Sequence, residues 1–259
     1  MKRKNFIQSA GILTAALAAG KITVAAPRPA GKKELYELRE YEIHFHGNQN
    51  ALHEYLEKAL IPALNKYGVK NVGVFKELGK TEPAKVVVLI AYPSFEDYLS
   101  ITAKVKKDND FVKNSANWDK MPAENPVYNR YDTSLMIAFD GMSTLKVPAR
   151  EPRIFEMRTY EGYNEDAVKR KIKMFNEEEF PIFNRTGLHS VFFGEVIAGP
   201  HLPCLTYMIT FKDMEEREKN WAAFGADADW KRVSADAKYA NTVSNIRRVF
   251  LEPVPYSQI

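Results

Sequence analysis

The chain of 259 residues contains a single cysteine, Cys204. An intramolecular disulfide is therefore impossible, and the fold must be stabilised by packing. The segment around the thiol, 203–209, has the composition of a strand, and no histidine or basic residue accompanies it in a recognisable motif. This setting predicts a buried, inert thiol rather than a nucleophile.

Most of the chain also lacks net charge. It contains 37 Lys and Arg against 33 Asp and Glu, and four of the basic residues lie in the first 26 positions, which contain no acid. Once these four are set aside, 33 basic residues remain against 33 acidic ones. The balance removes the positive surface expected of a nucleic-acid-binding protein, so no nucleic acid is predicted as a partner.

The N-terminus has the order of an export signal. Lys2-Arg3-Lys4 is followed by a short apolar stretch, Ile12 to Ala19, and by small residues at Thr23-Val24-Ala25. We predict that residues 1–25 are a signal peptide cleaved after Ala25, so the protein is exported to a periplasmic or otherwise extracytoplasmic compartment. The apolar stretch is too short to remain as a membrane span, and none is predicted in the mature protein.

Two details of this segment leave alternatives open. Arg3-Lys4 before Phe6-Ile7 resembles a twin-arginine signal whose second arginine is replaced by lysine, so either that route or the general secretory route is compatible with it. A buried amphipathic helix is the other interpretation of the segment. Gly11, Thr14 and Gly20 weaken it.

The chain is an internal duplication. Leu35-Tyr36-Glu37-Leu38-Arg39-Glu40-Tyr41-Glu42 returns 119 positions later as Ile154-Phe155-Glu156-Met157-Arg158-Thr159-Tyr160-Glu161. The same offset aligns Pro62 with Pro181, Asn65 with Asn184, Gly68 with Gly187, and Phe111 with Trp230. The repeat predicts two equivalent folding units, 34–139 and 153–254, joined by a linker over 140–152.

Each unit has the pattern of a strand, a helix, two strands, a helix and a strand. The first strand alternates over Leu35 to Phe45, whereas the third, Lys85 to Ala91, is almost wholly apolar and indicates burial of both faces. The first helix of each unit contains a proline, which should kink or restart it, and ends at a glycine suited to a left-handed terminus.

This order is the β-α-β-β-α-β arrangement of ferredoxin-like units. A four-stranded sheet with helices on one face leaves its other face bare. Two such units can cover each other sheet to sheet, so the sequence predicts an α+β protein with a closed barrel wrapped by helices.

The two units resemble the NIPSNAP family over about residues 34–254. The resemblance rests on Tyr36-Glu37-Leu38-Arg39-x-Tyr41, on Phe155 to Tyr160, on Phe180 to Gly187, and on Glu218 to Phe224 leading to Asp229-Trp230-x-Arg232. It implies tandem domains of the dimeric α+β barrel group. The first unit departs from the pattern after Tyr98, where the Trp-x-x-Phe motif is absent. The family has no settled shared chemistry, so the resemblance implies a fold and not an activity.

The candidate ligand-binding residues are Glu37, Arg39 and Tyr41 with their copies Glu156, Arg158 and Tyr160. Residues two apart on a strand share a face. We expect Tyr36, Leu38, Phe155 and Met157 on the helix-covered side, which would turn both Glu-Arg-Tyr sets toward the space between the sheets. The alternative is that each Glu-Arg is a structural ion pair with Tyr as filler; in either case each guanidinium should be paired.

No other motif predicts a site. His44-x-His46 could supply two metal ligands, but the second unit has nothing in its place, so an exposed strand end is the preferred interpretation and no metal or cofactor is predicted. His189 and His201 are isolated and expected on the surface or in loops. The chain has no glycine-rich phosphate loop, nucleophile elbow or Cys-x-x-Cys pair.

Two functions therefore remain open at this stage. The first is an exported protein that binds a small molecule in or at the barrel between its repeats, with catalysis left open because the resemblance implies a fold that includes monooxygenases and haem-modifying enzymes. The second is a non-catalytic interaction protein whose barrel is only a packed core. A homo-oligomer is compatible with both.

Overall fold

The computed structural model describes residues 32–45, 47–79, 82–124 and 126–259. The predicted export signal, 1–25, lies outside these residues. Within the described part of the chain, no helix combines the length and apolar character that crossing a membrane requires.

The elements of the two units occur in the predicted order. The first unit contains β1 (Leu35–Ile43), α1 (Gln49–Tyr55), a π-helical turn (Leu56–Leu60), α2 (Ile61–Lys66), β2 (Val72–Glu77), β3 (Lys85–Tyr92), α3 (Phe95–Val105), α4 (Asn109–Asp119) and β4 (Tyr128–Ala138). The second contains β5 (Ile154–Glu161), α5 (Glu165–Met174), a π-helical turn (Phe175–Glu179), α6 (Phe180–Thr186), β6 (His189–Ala198), β7 (Cys204–Phe211), α7 (Met214–Ala226), α8 (Ala228–Ser234), a 3₁₀ turn (Ala237–Tyr239) and β8 (Asn245–Pro253).

The prolines act on the first helix of each unit as predicted. Pro62 and Pro181 each lie in the first turn of the helix that resumes after the π-helical turn. Because proline has no amide hydrogen, the regular α-helical bonding cannot continue through it, and the wider turn accommodates the break. Gly187 then ends α6 with a φ of 77°, and Gly68 has a φ of 101°. A residue with a Cβ is disfavoured there.

The eight strands form one closed antiparallel barrel. Its order is β1-β3-β2-β8-β5-β7-β6-β4, so each unit contributes four adjacent strands and the units meet at two seams, β2 with β8 and β4 with β6. The predicted α+β fold is confirmed. Closure pairs every edge strand, which removes the exposed edges that a lone unit would present.

Aromatic side chains from both units fill the middle of the barrel. The Tyr36 ring lies 5.1 Å from that of Phe192, and the Phe75 ring lies 5.0 Å from that of Phe155. All four residues are 0% exposed. These contacts cross from one unit to the other, so the barrel interior is a hydrophobic core shared by the repeats.

The predicted orientation of the first strands was wrong. Tyr36, Leu38, Phe155 and Met157 point into the barrel, where they pack in one cluster with residues of both sheets. The Glu-Arg-Tyr sets, Glu37, Arg39, Tyr41 and Glu156, Arg158, Tyr160, therefore lie on the opposite face, under the helices. Both faces of β1 and β5 are buried, so alternation alone does not distinguish inside from outside. The barrel needs the large apolar side chains to fill it.

The two ends of the barrel differ. At one end the linker and the C-terminal tail cover the opening: Leu145 and Ile259 pack against the interior cluster, and the Lys146 amide donates to the Val191 carbonyl at 2.9 Å. β1 and β5 are four antiparallel steps apart in the barrel and so run in the same direction. The C-terminal parts of both strands, near Glu40 and Thr159, therefore lie at the opposite opening of the barrel, which we call the open mouth.

Candidate functional site

The Glu-Arg-Tyr set of the first unit is a buried ion pair under helix α3. The Arg39 Nε donates to Glu37 Oε1 at 2.7 Å, and the Tyr92 hydroxyl donates to Glu37 Oε2 at 3.0 Å. Tyr41 stacks on Tyr131 with ring centroids 4.7 Å apart. Burial acts to lower the pKa of Arg39, but Glu37 and Tyr41 raise it above its ordinary value, so the guanidinium stays charged.

The second unit surrounds its glutamate with more donors. Glu156 is 0% exposed. It accepts from Arg158 Nε at 2.6 Å, Arg217 Nε at 2.9 Å and Trp221 Nε1 at 3.0 Å. Burial acts to raise the pKa of Glu156, but the bond from Arg217 and the charge of Arg158 hold it below its ordinary value. Both donors from helix α7 are absent in the first unit, where Tyr98 and Thr102 occupy the equivalent positions.

The polar chain continues from this carboxylate to two phenols. Arg158 Nη1 donates to the Tyr160 hydroxyl at 3.3 Å, and that hydroxyl is 2.8 Å from the Tyr207 hydroxyl. The guanidinium carbon of Arg158 lies 4.0 Å from the centroid of the Trp221 ring. The prediction that each guanidinium is paired is confirmed in both units. This saturated geometry favours the structural ion-pair interpretation, because hydrogen-bonded partners already satisfy the carboxylates.

A second buried ion pair lies beside the Tyr160–Tyr207 pair. Lys171 of α5 donates to Glu179, the last residue of the π-helical turn, and their side chains are only 6% and 3% exposed. The Lys171 ammonium also lies 4.6 Å from the centroid of the Phe175 ring. Burial raises the pKa of Glu179, and Lys171 opposes the rise.

Sequence reasoning missed this pair, although the repeat contained a signal for it. At the same offset of 119 the first unit has Leu52 and Leu60, both on the buried stripe of its helix. A lysine and a glutamate at positions that are leucine in the copy indicate charges placed in a core.

Charged groups from both units surround an opening at the open mouth. A cavity of 450 Å³ there is bounded by strands of both units, with Glu40 and Lys85 from the first and Thr159 and Arg248 from the second. Its other lining residues are Glu77, Leu78, Met157, His201, Arg247, Val249 and Phe250. The volume is within the range of roughly 300–1,000 Å³ that is typical of small-molecule sites.

Glu40 is the carboxylate of the mouth with a perturbed pKa. Burial raises the pKa above its ordinary value, Lys85 opposes the rise, and Asp132 and Glu77 add to it. The equivalent residues of the second unit are Thr159 and, for Lys85, Cys204. At these two positions, therefore, only the first unit contributes a charged residue.

His201 enters the mouth from the loop between β6 and β7. Its position in a loop was predicted, but its place beside a cavity was not. The residue has a φ of 65°, a left-handed conformation that is uncommon for a side chain other than glycine. Its Nδ1 is 3.8 Å from Glu161 Oε1, and Arg247 also pairs with Glu161.

The remaining sequence candidates are His44, His46 and Cys204. His44 follows the end of β1 with a buried Nδ1 that has no hydrogen-bond partner, and His46 lies outside the described residues. Among the described residues, no group of three or more His, Cys, Asp or Glu is arranged to hold a metal ion. Cys204 is 2% exposed, and burial raises the pKa of its thiol to about 11, in agreement with the predicted inert residue.

Two ferredoxin-like units closed into one eight-stranded barrel define a dimeric α+β barrel protein, with both halves on a single chain. The NIPSNAP family model matches this chain twice, over residues 36–123 and 155–258. The protein belongs to the NIPSNAP family, with one domain in each repeat. No curated protein sequence matches the chain significantly.

Solved structures share the fold at low sequence identity. One from Fusobacterium nucleatum subsp. nucleatum, named as a candidate monooxygenase, is 12% identical, covers 85% of this chain and 92% of its own, and has a TM-score of 0.52. Another, from Lactobacillus acidophilus and also named as a candidate monooxygenase, is 10% identical with coverages of 85% and 94% and a TM-score of 0.52. A NIPSNAP family protein of unknown function from Agrobacterium tumefaciens is 19% identical over 42% of this chain and 95% of its own, with a TM-score of 0.38. The first two similarities show the fold alone.

Proposed function

We propose that this NIPSNAP protein binds a small organic molecule at the open mouth of the barrel, between its two repeats. The observation that carries the proposal is the 450 Å³ cavity with a charged rim, to which both units contribute. The barrel middle is filled by aromatic rings and the Glu-Arg-Tyr sets are buried under helices. The mouth is therefore the part of the barrel best suited to accept a ligand.

The residues of the mouth favour a small organic acid. Lys85 and His201 can offer positive charge or hydrogen-bond donors to a carboxylate. Met157 and Val249 provide an apolar floor for the hydrocarbon part of the molecule. Arg247 contributes less, because Glu161 already pairs with it.

Glu40 is the mouth residue best suited to exchange a proton with a bound molecule. Its pKa is raised by burial, which moves it toward the pH at which a carboxyl group can act as an acid or a base. The two neighbours named as candidate monooxygenases support catalysis only by analogy of fold. We therefore propose binding as the function and Glu40 as the group to test first for chemistry.

The test starts with native mass spectrometry of the protein purified from its own host, to detect a retained small molecule. Two-dimensional NMR titration with a set of aliphatic and aromatic carboxylic acids follows. We expect saturable shifts at mouth residues that weaken in Lys85→Gln, because a cation is lost, and strengthen in Glu40→Gln, because a negative charge beside the bound carboxylate is lost. Lys76→Gln is the matched control, because Lys76 is on the neighbouring strand with a side chain 57% exposed. The proposal fails if the variants and the control respond alike, or if no acid shifts the mouth residues and no molecule is retained.

The second candidate function is a non-catalytic interaction protein whose barrel is a packed core. The aromatic filling of the barrel and the saturated ion pairs of both Glu-Arg-Tyr sets favour it. Under this hypothesis the mouth variants keep their stability and no small molecule is retained. Affinity capture with a crosslinker in the native host would then recover a partner protein. The variant Thr159→Trp, which blocks the mouth, should bind that partner as the parent does.

We also propose that the protein is exported with cleavage after Ala25. The basic, apolar and small-residue order of residues 1–25 supports this. N-terminal sequencing of the native protein is expected to begin at Ala26. A native chain that still begins at Met1 would exclude export by a cleaved signal.

A further inference from the structure

A cleft of 620 Å³ lies at the covered end of the barrel, remote from the open mouth. One wall is the linker and the residue that follows it, with Lys146, Val147 and Arg153, and the other is formed by β6 and the end of β7, with Ser190 and Lys212. Its remaining lining residues are Pro148, Ala149, Glu151, Pro152, His189, Thr210, Phe211, Asp213 and Glu216.

Two residues that line this cleft each have a buried donor without a hydrogen-bond partner. These donors are the Nε of Arg153 and the hydroxyl of Ser190. The Arg153 side chain is only 11% exposed, and its Nη2 is held by Glu151 at 2.9 Å, which leaves the Nε free. A buried donor without an acceptor costs about 1–3 kcal/mol, and more when it is charged, so such groups call for an acceptor.

The carboxylates that line the cleft bond to other donors, and none of them accepts from Arg153 Nε or from the Ser190 hydroxyl. Asp213 Oδ1 accepts from the Glu216 amide at 2.9 Å, and Glu216 Oε2 accepts from the Lys212 amide at 2.5 Å. This is the reciprocal arrangement that caps the first turn of α7. Glu151 is paired with Arg153.

The cations, in contrast, are available. Lys146 and Lys212 are exposed at the rim and form no salt bridge with any residue in the described part of the chain. His189 is exposed beside them. The groups of the cleft that have no partner are thus donors or cations, whereas each of its three acids has a hydrogen-bond or ion-pair partner.

The repeat shows that the fold does not require these groups. At the offset of 119, the first unit has Glu34 in place of Arg153, Asn71 in place of Ser190 and Pro93 in place of Lys212. Glu34 accepts the Leu145 amide at 2.6 Å and so holds the linker rather than a ligand. At these three positions, therefore, only the second unit brings the side chains of an arginine, a serine and a lysine to one cleft.

We propose that this cleft binds a multiply charged oxyanion, either the phosphate or the carboxylate groups of a small molecule. Arg153 Nε and the Ser190 hydroxyl donate to its oxygens from the buried side, and Lys146 and Lys212 neutralise its charge at the rim. Val147 and Pro148 leave apolar surface beside the anionic group for the rest of the molecule.

The test uses the full chain with inorganic phosphate and with succinate as probes, by isothermal titration calorimetry at constant ionic strength set with sodium chloride. We expect saturable binding of at least one probe that weakens at least tenfold in Arg153→Gln and in Lys212→Gln. Lys70→Gln is the control, because Lys70 is exposed and is the repeat counterpart of His189. This control variant should bind the probes with the same affinity as the parent. Tighter binding of phosphate or of succinate identifies which of the two anionic groups the cleft prefers.

Lys212→Gln keeps the test valid if Arg153→Gln fails to fold, since Lys212 is exposed. A crystal soaked with selenate should show anomalous scattering in contact with Arg153 and Ser190. The proposal is overturned if neither probe binds more tightly than chloride, if both variants bind like the parent, or if selenate scatters only elsewhere.

Discussion

Replacing the buried pair Lys171–Glu179 by leucines tests how the second unit tolerates charge in its core. The first unit supplies the template, because Leu52 and Leu60 occupy the equivalent positions. In Lys171→Leu, Glu179 is left without its cation at 3% side-chain exposure. Removing one partner of a buried ion pair costs about 3–5 kcal/mol, since the remaining charge is uncompensated.

The double variant should behave differently from both single variants. With Lys171→Leu and Glu179→Leu together, no buried charge remains and the helix gains the apolar stripe of its copy. Replacement of a buried pair by hydrophobic residues is neutral or stabilises by about 1–4 kcal/mol. Lys171 also loses its contact with Phe175, 4.6 Å from the ammonium, which offsets part of that gain.

The pH dependence identifies the cause of the loss. Burial raises the pKa of Glu179 even beside Lys171. Without the lysine the rise is larger, and a raised folded-state pKa means that stability is present at low pH and is lost as the pH rises through that value. The destabilisation of Lys171→Leu should therefore grow between pH 5 and pH 8.

Urea unfolding followed by circular dichroism measures each effect, with the slope of the transition checked for constancy. Lys58→Gln is the control, because Lys58 and Glu54 form an exposed pair, 65% and 60% accessible, and such pairs contribute about 0–1 kcal/mol. The reasoning is refuted if the single variants unfold within about 1 kcal/mol of the parent, or if the double variant loses as much stability as they do.

Three further predictions follow from the same structure. Arg39→Met should lower the free energy of unfolding by about 3–5 kcal/mol, because Glu37 keeps only the Tyr92 hydroxyl as a donor. Arg158→Met should lower it by only about 1.5–3 kcal/mol, because Arg217 and Trp221 still donate to Glu156. Equal losses in chemical denaturation would contradict this difference. The pKa values of Asp108 and Asp227 are lowered to about 2, mainly by hydrogen bonds from Lys66 and Arg185 respectively. Their contribution to stability is therefore present above the unfolded pKa of Asp and is lost as the pH falls toward 2. The double variant Asp108→Asn, Asp227→Asn should lose less thermal stability on acidification than the parent, and an equal loss would show that these pairs are not responsible. Cutting the chain near Lys146 should give halves that are unstable or that self-associate, because each half then exposes the aromatic face that fills the barrel, and a stable monomeric half in sedimentation would contradict the shared core.

The sequence by itself determined the architecture. A constant offset of 119 duplicated every strand and helix, and a four-stranded sheet with one bare face has few ways to be covered. The pairing of Arg39 with Glu37 and of Arg158 with Glu156 was also predictable, because alternation in a strand puts residues two apart on one face, and a buried charge without a partner is costly.

The tertiary structure alone decided which face of the first strands lies inside. Glu37 and Tyr36 are both buried, at 4% and 0% exposed, so the period of two identifies two faces but does not orient them. Tyr36 and Phe155 lie in the barrel interior, where their rings pack against those of Phe192 and Phe75 and fill its centre. The ion pairs lie on the helix side, where Tyr92, Arg217 and Trp221 can reach them.

The sites were decided by tertiary structure for a further reason. Glu40, His201 and Arg247 lie far apart in the chain and line one cavity only because β1 and β8 belong to one closed barrel and the loop after β6 reaches its mouth. Arg153 and Ser190 likewise face one cleft only because the linker folds back over the second unit. Local periodicity carries no information on such long-range contacts, since they depend on how the barrel closes and on which end the linker covers.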